Sequence, residues 1–250
     1  MSPALRARVR GAALPIALAF GRVGLTPNAL TVIGFGISVL AALAVVRNAW
    51  VLAGLLVIFG GVFDLFDGAL ARATNRVSRL GAFLDSVFDR AGEAVIYLGI
   101  IAVCANEGFT RGVVLAGAAM AASFMVSYTR AKSESLGFTP GTGMANIGVA
   151  PREVRLVLLT IGLLLTGALG GIIVPLFGSG FYSSTDPNAW AGRPVLAGAL
   201  GLIAALATIT TIQRIVHVAR QAPPEDRAAP ESTIPSNATQ TPPPRGEQNP

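Results

Sequence analysis

Four aspartates in one apolar stretch are the residues of this chain best suited to chemistry. Asp64, Asp67, Asp85 and Asp89 lie within FDLFDGALARATNRVSRLGAFLDSVFDR, which covers residues 63–90. The first two are spaced i,i+3 and the last two i,i+4, so each pair shares one face of a helix. Carboxylates crowded at low dielectric repel strongly unless divalent cations lie between them or they share protons. The spacing therefore predicts a metal site built from two helices.

The same stretch fits a phosphate-bearing ligand. Carboxylate oxygens without a nearby histidine or thiolate favour Mg²⁺ or Mn²⁺ over zinc. Two such ions a few ångströms apart can clamp a diphosphate and stabilise the attacking and leaving oxygens. Gly68 permits a close backbone approach, Arg72 can bind a phosphate oxygen bidentately, and Gly81 keeps the opposite side of the cleft open. The alternative is that these acids only form helix–helix pairs near the ends of membrane spans.

The elements that position these residues are predicted to be transmembrane helices. The chain has 250 residues, of which 52% are hydrophobic, and 29 are glycine. Its mean hydropathy of +0.62 indicates an all-α polytopic membrane protein rather than a soluble one. Six apolar stretches are long enough, or nearly so, to cross a hydrocarbon core of roughly 30 Å. They are predicted at Asn28–Val46, Trp50–Leu70, Phe83–Ala105, Gly112–Tyr128, Val154–Phe177 and Pro194–Ile212.

The basic residues predict the orientation of these spans. With the N-terminus in the cytoplasm, 16 of the 19 lysines and arginines lie on the inner side, and only Arg47, Arg111 and Arg193 lie outside. This asymmetry predicts a multi-pass protein of the cell (plasma) membrane with both termini and the acidic site cytoplasmic. The pI of about 10.6 then reflects an inner surface that faces anionic lipid, and not nucleic-acid binding.

Two flanking segments complete the predicted organisation. Residues 1–25 join arginines to a short apolar run, which predicts an amphipathic helix on the inner leaflet rather than a cleaved signal peptide. Residues 26–220 form the six-helix membrane domain, whose first helix starts at TPNALT with Thr26 or Asn28 as its cap. Residues 221–250 are rich in proline and polar residues and predict a disordered cytoplasmic tail.

The acidic stretch resembles the signature of the CDP-alcohol phosphotransferase family, D-x2-D-G-x2-A-R-x8-G-x3-D-x3-D. All eight fixed positions match, at Asp64, Asp67, Gly68, Ala71, Arg72, Gly81, Asp85 and Asp89. The resemblance implies a six-helix membrane enzyme, usually a homodimer, that transfers a phosphatidyl or similar group from a CDP-linked donor to an alcohol and releases CMP.

The resemblance also implies roles for the signature residues. The four aspartates would surround two Mg²⁺ or Mn²⁺ ions, and Asp89 is the usual candidate for the general base, a role that its depth in the third span suits. The residues that would contact the CDP moiety are Asp64, Asp67, Gly68, Ala71, Arg72 and Gly81.

The acceptor alcohol is predicted from the other inner-side cations. Five of them, from three spans, suggest an anionic acceptor such as a polyol phosphate: Arg130, Lys132, Arg152, Arg155 and Arg214. These segments resemble the phosphatidylinositol-phosphate synthase branch, although its R-P-E-R-L motif lacks the proline here. The resemblance implies CDP-diacylglycerol as donor and inositol 1-phosphate as acceptor; glycerol 3-phosphate is the alternative.

Two further interpretations concern neighbouring features. A divalent-cation transporter would also place acids in a membrane, but it would need polar residues near the midplane, and the second and third spans have almost none beyond their inner ends. Glu93, one turn past Asp89, is expected to pair with Arg90; a hydrogen bond within the site is the alternative.

Overall fold

The fold is a bundle of long helices, seen in a computed structural model that describes residues 14–138, 144, 147–177 and 192–221. Within those ranges the regular structure is helical and strands are absent. A short helix, α1, covers residues 14–22. The six longer ones are α2 (Pro27–Val46), α3 (Trp50–Ala73), α4 (Arg79–Asn106), α5 (Thr110–Ser135), α6 (Arg152–Phe177) and α7 (Arg193–Gln221).

The all-α prediction is confirmed, and each predicted span lies within one of the six long helices. Four of them, α2, α3, α5 and α7, are long and apolar enough to cross a membrane. The helix α4 has 28 residues, but Asp85, Asp89, Arg90 and Glu93 make it too charged to belong to that group. The count of six spans and the amphipathic character of residues 1–25 stay predictions. The tail prediction for residues 221–250 lies outside the described residues, apart from Gln221 at the end of α7.

Local signals in the sequence explain where the site helices begin. Thr26 caps α2, because its hydroxyl accepts a hydrogen bond from the Ala29 amide at 3.2 Å, and Pro27 occupies the first turn. Ser78 caps α4 in the same way, accepting from the Gly81 amide at 2.9 Å. The cap at Ser78 starts α4 one turn before Gly81, so Gly81, Asp85 and Asp89 follow along one side of the helix.

Small residues let the helices that carry the site approach closely. The helix α2 packs against α3 and α4, α3 packs against α6, and α5 packs against α4 and α7. A Cβ added at Gly99 would lie 2.8 Å from the Ala42 carbonyl oxygen, so α2 and α4 touch backbone to backbone at this point. Such contacts hold helices together where lipid supplies little driving force. They place the start of α2 beside the end of α3 and the start of α4.

Candidate active site

The four signature aspartates converge at one end of the bundle. Asp64 and Asp67 lie in the last three turns of α3, while Asp85 and Asp89 lie in the first three turns of α4. Asp67 interacts electrostatically with Asp64 and Asp85, and Asp89 does so with the same two residues. The short connection between α3 and α4 brings the two pairs together, as the helical spacing predicts.

Arg152, at the first position of α6, reaches into this acidic cluster. Its Nη2 lies 2.9 Å from Oδ1 of Asp89 and 3.2 Å from Oδ2 of Asp64. One nitrogen thus bridges carboxylates from two helices, and the two oxygens are no farther apart than the sum of these distances. Nε of Arg152 is buried and has no hydrogen-bond partner among the described residues. A cation therefore already holds the place where the sequence predicts metal ions.

Asp67 is held differently from the other acids. Its side chain is buried, with 6% of the residue exposed, and its Oδ2 accepts a hydrogen bond of 2.7 Å from the hydroxyl of Thr31 in α2. The Asp67 carboxylate also interacts with the backbone of Gly68. Asp85 is half-buried and lies within electrostatic range of Asp64, Arg152 and Arg90.

The donor chemistry of the cluster fits a divalent ion, although the side chains do not stand in a coordination geometry. Among the described residues, no group of three or more His, Cys, Asp or Glu is arranged to hold a metal. Two of the four carboxylates, those of Asp64 and Asp89, contact Arg152 instead. A cavity of about 30 Å³ adjoins both carboxylates and Arg152. This is room for one water or ion rather than a nucleotide.

The other residues predicted to contact CDP lie in the last turns of α3 and the first turn of α4. Gly68 lies beneath the guanidinium of Arg72, since an added Cβ would come 3.2 Å from Nη1 of Arg72. Across the cleft, a Cβ at Gly81 would lie 3.2 Å from Oδ1 of Asn28. Ala71 is half-buried one residue before the exposed Arg72. Their contact with a CDP moiety stays a prediction.

Arg155 and Glu93 form a buried ion pair, which corrects the expectation that Glu93 pairs with Arg90. Nε and Nη2 of Arg155 donate to the two carboxylate oxygens of Glu93 at 3.0 and 2.9 Å, and Nη1 donates to the Ala150 carbonyl. Arg155 is only 1% exposed. Arg90 donates instead to the Ser86 carbonyl and lies 3.7 Å from Asp89. A role for Arg155 as a direct phosphate ligand does not match this geometry, because each of its three nitrogens has a partner within the protein.

The other predicted acceptor residues divide into buried and exposed ones. Arg214 is 3% exposed and donates to the carbonyls of Ile147 and Val126, so its guanidinium is also committed within the protein. Arg130 is exposed and pairs with Glu134 one turn on. Lys132 is exposed on the last turn of α5. Arg130 still lies within electrostatic range of Arg214 and Arg90, so the basic residues share one region next to the acids.

Two residues near the site were not predicted from the sequence as site residues. Thr31 binds Asp67, and Asn28 borders Gly81. Both belong to TPNALT, where the sequence offers Asn28 as an alternative helix cap to Thr26 and gives Thr31 no role. The structure places the cap at Thr26. A polar residue on the buried side of an apolar helix is the signal that points to Thr31.

Together the fold and the site define a helical membrane protein with a carboxylate-rich centre at one end of its bundle. The CDP-alcohol phosphatidyltransferase family matches this chain over residues 24–180. The chain belongs to this family and is a transferase.

Two relatives within this family are similar to the chain over most of their length. An archaetidylinositol phosphate synthase of Pyrococcus horikoshii is 37% identical over 168 residues, which cover 67% of this chain and 85% of that protein. A phosphatidylinositol phosphate synthase of Mycobacteroides abscessus is 33% identical over 158 residues, covering 62% of this chain and 70% of that protein.

Solved structures agree with these relatives. The phosphatidylinositol phosphate synthase of Mycobacterium tuberculosis in complex with manganese and citrate superposes with a TM-score of 0.65 at 26% identity, covering 82% of this chain and 88% of that one. The same enzyme with CDP-DAG bound gives a TM-score of 0.64 at 27% identity, covering 82% and 92%.

Proposed function

We propose that this protein transfers a phosphatidyl group from CDP-diacylglycerol to inositol 1-phosphate and releases CMP. The observation that carries the proposal is the convergence of four aspartates from α3 and α4, two of them around a single guanidinium nitrogen. Relatives named archaetidylinositol phosphate and phosphatidylinositol phosphate synthases support the acceptor.

The proposed reaction is an in-line displacement at the β-phosphorus of the donor. The acceptor hydroxyl oxygen forms a new bond to that phosphorus, the bond to the bridging oxygen of CMP breaks, and CMP leaves with the electron pair. Asp89 accepts the hydroxyl proton, since it lies farther from the start of α4 than Asp85 does. Its Oδ1 is paired with Arg152 here, so Arg152 must move before this oxygen takes a proton.

We assign the two divalent ions to Asp64, Asp67, Asp85 and Asp89. When bound, Mg²⁺ or Mn²⁺ would neutralise the charge that develops on the leaving and attacking oxygens. The manganese in the mycobacterial structure supports a divalent cofactor. Gly68, Ala71, Arg72 and Gly81 would border the CDP moiety, with Arg72 exposed and able to reach a phosphate oxygen.

The acceptor's phosphate is assigned to exposed or movable cations. Arg152 is the primary candidate because it is partly exposed and its Nε has no partner within the part of the chain that the structure describes. Arg130 and Lys132 add positive charge from α5. The buried Arg155 and Arg214 would position other parts of the site and not bind the phosphate themselves. Arg155 anchors the start of α6, and Arg214 holds residue 147 against α5.

We further propose that residues 26–220 act as one membrane domain of a homodimer, with the site facing the cytoplasm. The excess of inner-side arginines supports this orientation. An impermeant thiol reagent on intact cells should label Arg111→Cys and leave Arg76→Cys unlabelled until permeabilisation. The reverse pattern would contradict the orientation.

The test is CMP release by the purified protein with CDP-diacylglycerol, Mg²⁺ or Mn²⁺, and either inositol 1-phosphate or glycerol 3-phosphate. We expect kcat/KM to be higher with inositol 1-phosphate. If only glycerol 3-phosphate supports turnover, the proposed acceptor is wrong and the proposed phosphatidyl transfer stands. Absence of CMP release with both acceptors would refute the proposed reaction.

A further inference from the structure

We propose that α2 forms a third wall of the metal site, where Thr31 and Gly34 position the two aspartates of α3. The inference rests on the proposed metal-dependent function, because it concerns how the carboxylates meet the ions. The helix α2 carries none of the signature residues. The signature therefore does not predict a role for α2 in the metal site, and the proposed role is argued from contacts between helices.

Thr31 controls Asp67. The 2.7 Å hydrogen bond from its hydroxyl fixes one carboxylate oxygen of Asp67, and both residues are buried. The hydroxyl also lies 3.2 Å from the Pro27 carbonyl, a weaker contact within α2. A hydroxyl has a single proton to donate, and the ionised carboxylate is the stronger acceptor. Partners of this kind orient metal-binding carboxylates and tune their affinity.

Gly34 controls Asp64. It lies one turn after Thr31 on the same face of α2, and a Cβ added there would approach Oδ1 of Asp64 to 3.2 Å. Any side chain at this position would push the carboxylate away from the backbone of α2. Gly36, on the same helix, is exposed, and an added Cβ would meet nothing within 4 Å. The helix thus supplies a hydroxyl for one aspartate and free space for the other.

Close packing keeps α2 at the correct distance from both aspartates. Gly60 of α3 faces Gly34 and Ile37 of α2, and Gly92 of α4 faces Ser38. These contacts lie within the cavity wall that also includes Asp64 and Asp89. Because α2 is wedged between α3 and α4, its position sets where the α3 carboxylates point relative to those of α4.

The test is Mn²⁺ binding, followed by electron paramagnetic resonance, on full-length purified protein with CDP-diacylglycerol and no acceptor. Thr31→Val keeps the shape of the side chain and removes the hydroxyl, so Mn²⁺ affinity should fall about 10–100-fold. Thr31→Ser should restore most of the affinity. Gly34→Ala should weaken binding, whereas Gly36→Ala should leave it unchanged.

Matched readouts separate positioning from general damage. Thr211→Val is the control for Thr31→Val, since Thr211 is also buried but its hydroxyl bonds only within its own helix, to the Ala207 carbonyl. Thermal unfolding without metal identifies any variant that fails to fold, and at saturating Mn²⁺ Thr31→Val should recover a large part of its turnover.

Three results would overturn the inference. The first is wild-type Mn²⁺ affinity in Thr31→Val and Gly34→Ala, the second is equal losses in Thr211→Val, and the third is no rescue by Thr31→Ser. If the wild-type protein releases CMP normally while any of these holds, the inference fails and the proposed function stands. If the wild type binds no Mn²⁺ and releases no CMP, both fail.

Discussion

At the scale of single residues, the main feature of the site is that an arginine contacts carboxylates proposed to bind metal ions. Four carboxylates require cations nearby, and in the present structure Arg152 supplies one by bridging Asp64 and Asp89. Under the proposed function, the same guanidinium would also bind the acceptor's phosphate. Arg152 would then have two alternative anionic partners, and divalent ions entering the site would displace it from the aspartates.

Arg152→Gln should strengthen Mg²⁺ binding to the substrate-free protein about tenfold. A charge about 3–4 Å from a carboxylate near a protein surface interacts with it by on the order of 1–4 kcal/mol, and the substitution removes this competitor. Turnover at low acceptor concentration should fall in the same variant. Isothermal titration calorimetry measures the first effect.

Arg90→Gln is the matched control, because Arg90 also lies beside Asp89, at 3.7 Å, but contacts no second aspartate in the described part of the chain. Its effect on Mg²⁺ affinity should be clearly smaller. Equal increases in both variants would show a general effect of charge and remove the specific role of Arg152.

Arg155→Ala should destabilise the protein by about 3–5 kcal/mol, because it leaves Glu93 buried without its partner. Thermal unfolding in detergent measures the loss. Replacing both residues, Arg155→Met with Glu93→Leu, should recover part of the stability. A variant as stable as wild type, with only a raised KM for the acceptor, would instead support direct phosphate binding by Arg155.

At the scale of elements, the site depends on four helices meeting at one end. The motif residues belong to α3 and α4, and α6 brings Arg152 between them. The helix α2 sets the spacing through backbone contact with α4 at Gly99 and Ala42. A change far from the carboxylates that alters this spacing should therefore disturb the site.

Gly99→Ala should lower the unfolding temperature and weaken Mg²⁺ binding together. The added methyl would lie 2.8 Å from the Ala42 carbonyl oxygen, and overpacking of this kind costs about 1–3 kcal/mol. Gly117→Ala is the control, since an added Cβ there meets nothing within 4 Å. Unchanged stability in Gly99→Ala would contradict close packing of α2 on α4.

The sequence predicts some of these features and not others for physical reasons. Helical spacing puts each pair of aspartates on one helix face, and the short connection keeps the end of α3 near the start of α4, so the acidic cluster was predictable. The position of α2 against both helices was not. Pairing between long side chains was not, because Glu93 can reach arginines on its own helix and on α6. Burial decides between them, and the buried bidentate contact with Arg155 forms. Burial of Arg155 is a property of three-dimensional packing, which spacing along the chain does not reveal.

At the scale of the whole molecule, the arrangement explains how one protein handles a lipid and a polar acceptor. The acids lie at one end of apolar helices, four of which are able to cross a membrane. Acyl chains can then remain in the bilayer while the phosphates and the acceptor stay in water. Family membership agrees with this division, since a CDP-linked lipid has both parts.

The most direct measurement of the central claim is metal-dependent CMP release by the wild-type protein and its four single Asp→Asn variants, at positions 64, 67, 85 and 89. The account predicts that turnover requires Mg²⁺ or Mn²⁺ and falls at least about 100-fold in each variant, while Asp89→Asn still binds the nucleotide. Wild-type turnover in Asp89→Asn would remove it as the base. Full activity without divalent ions would contradict the shared metal site altogether.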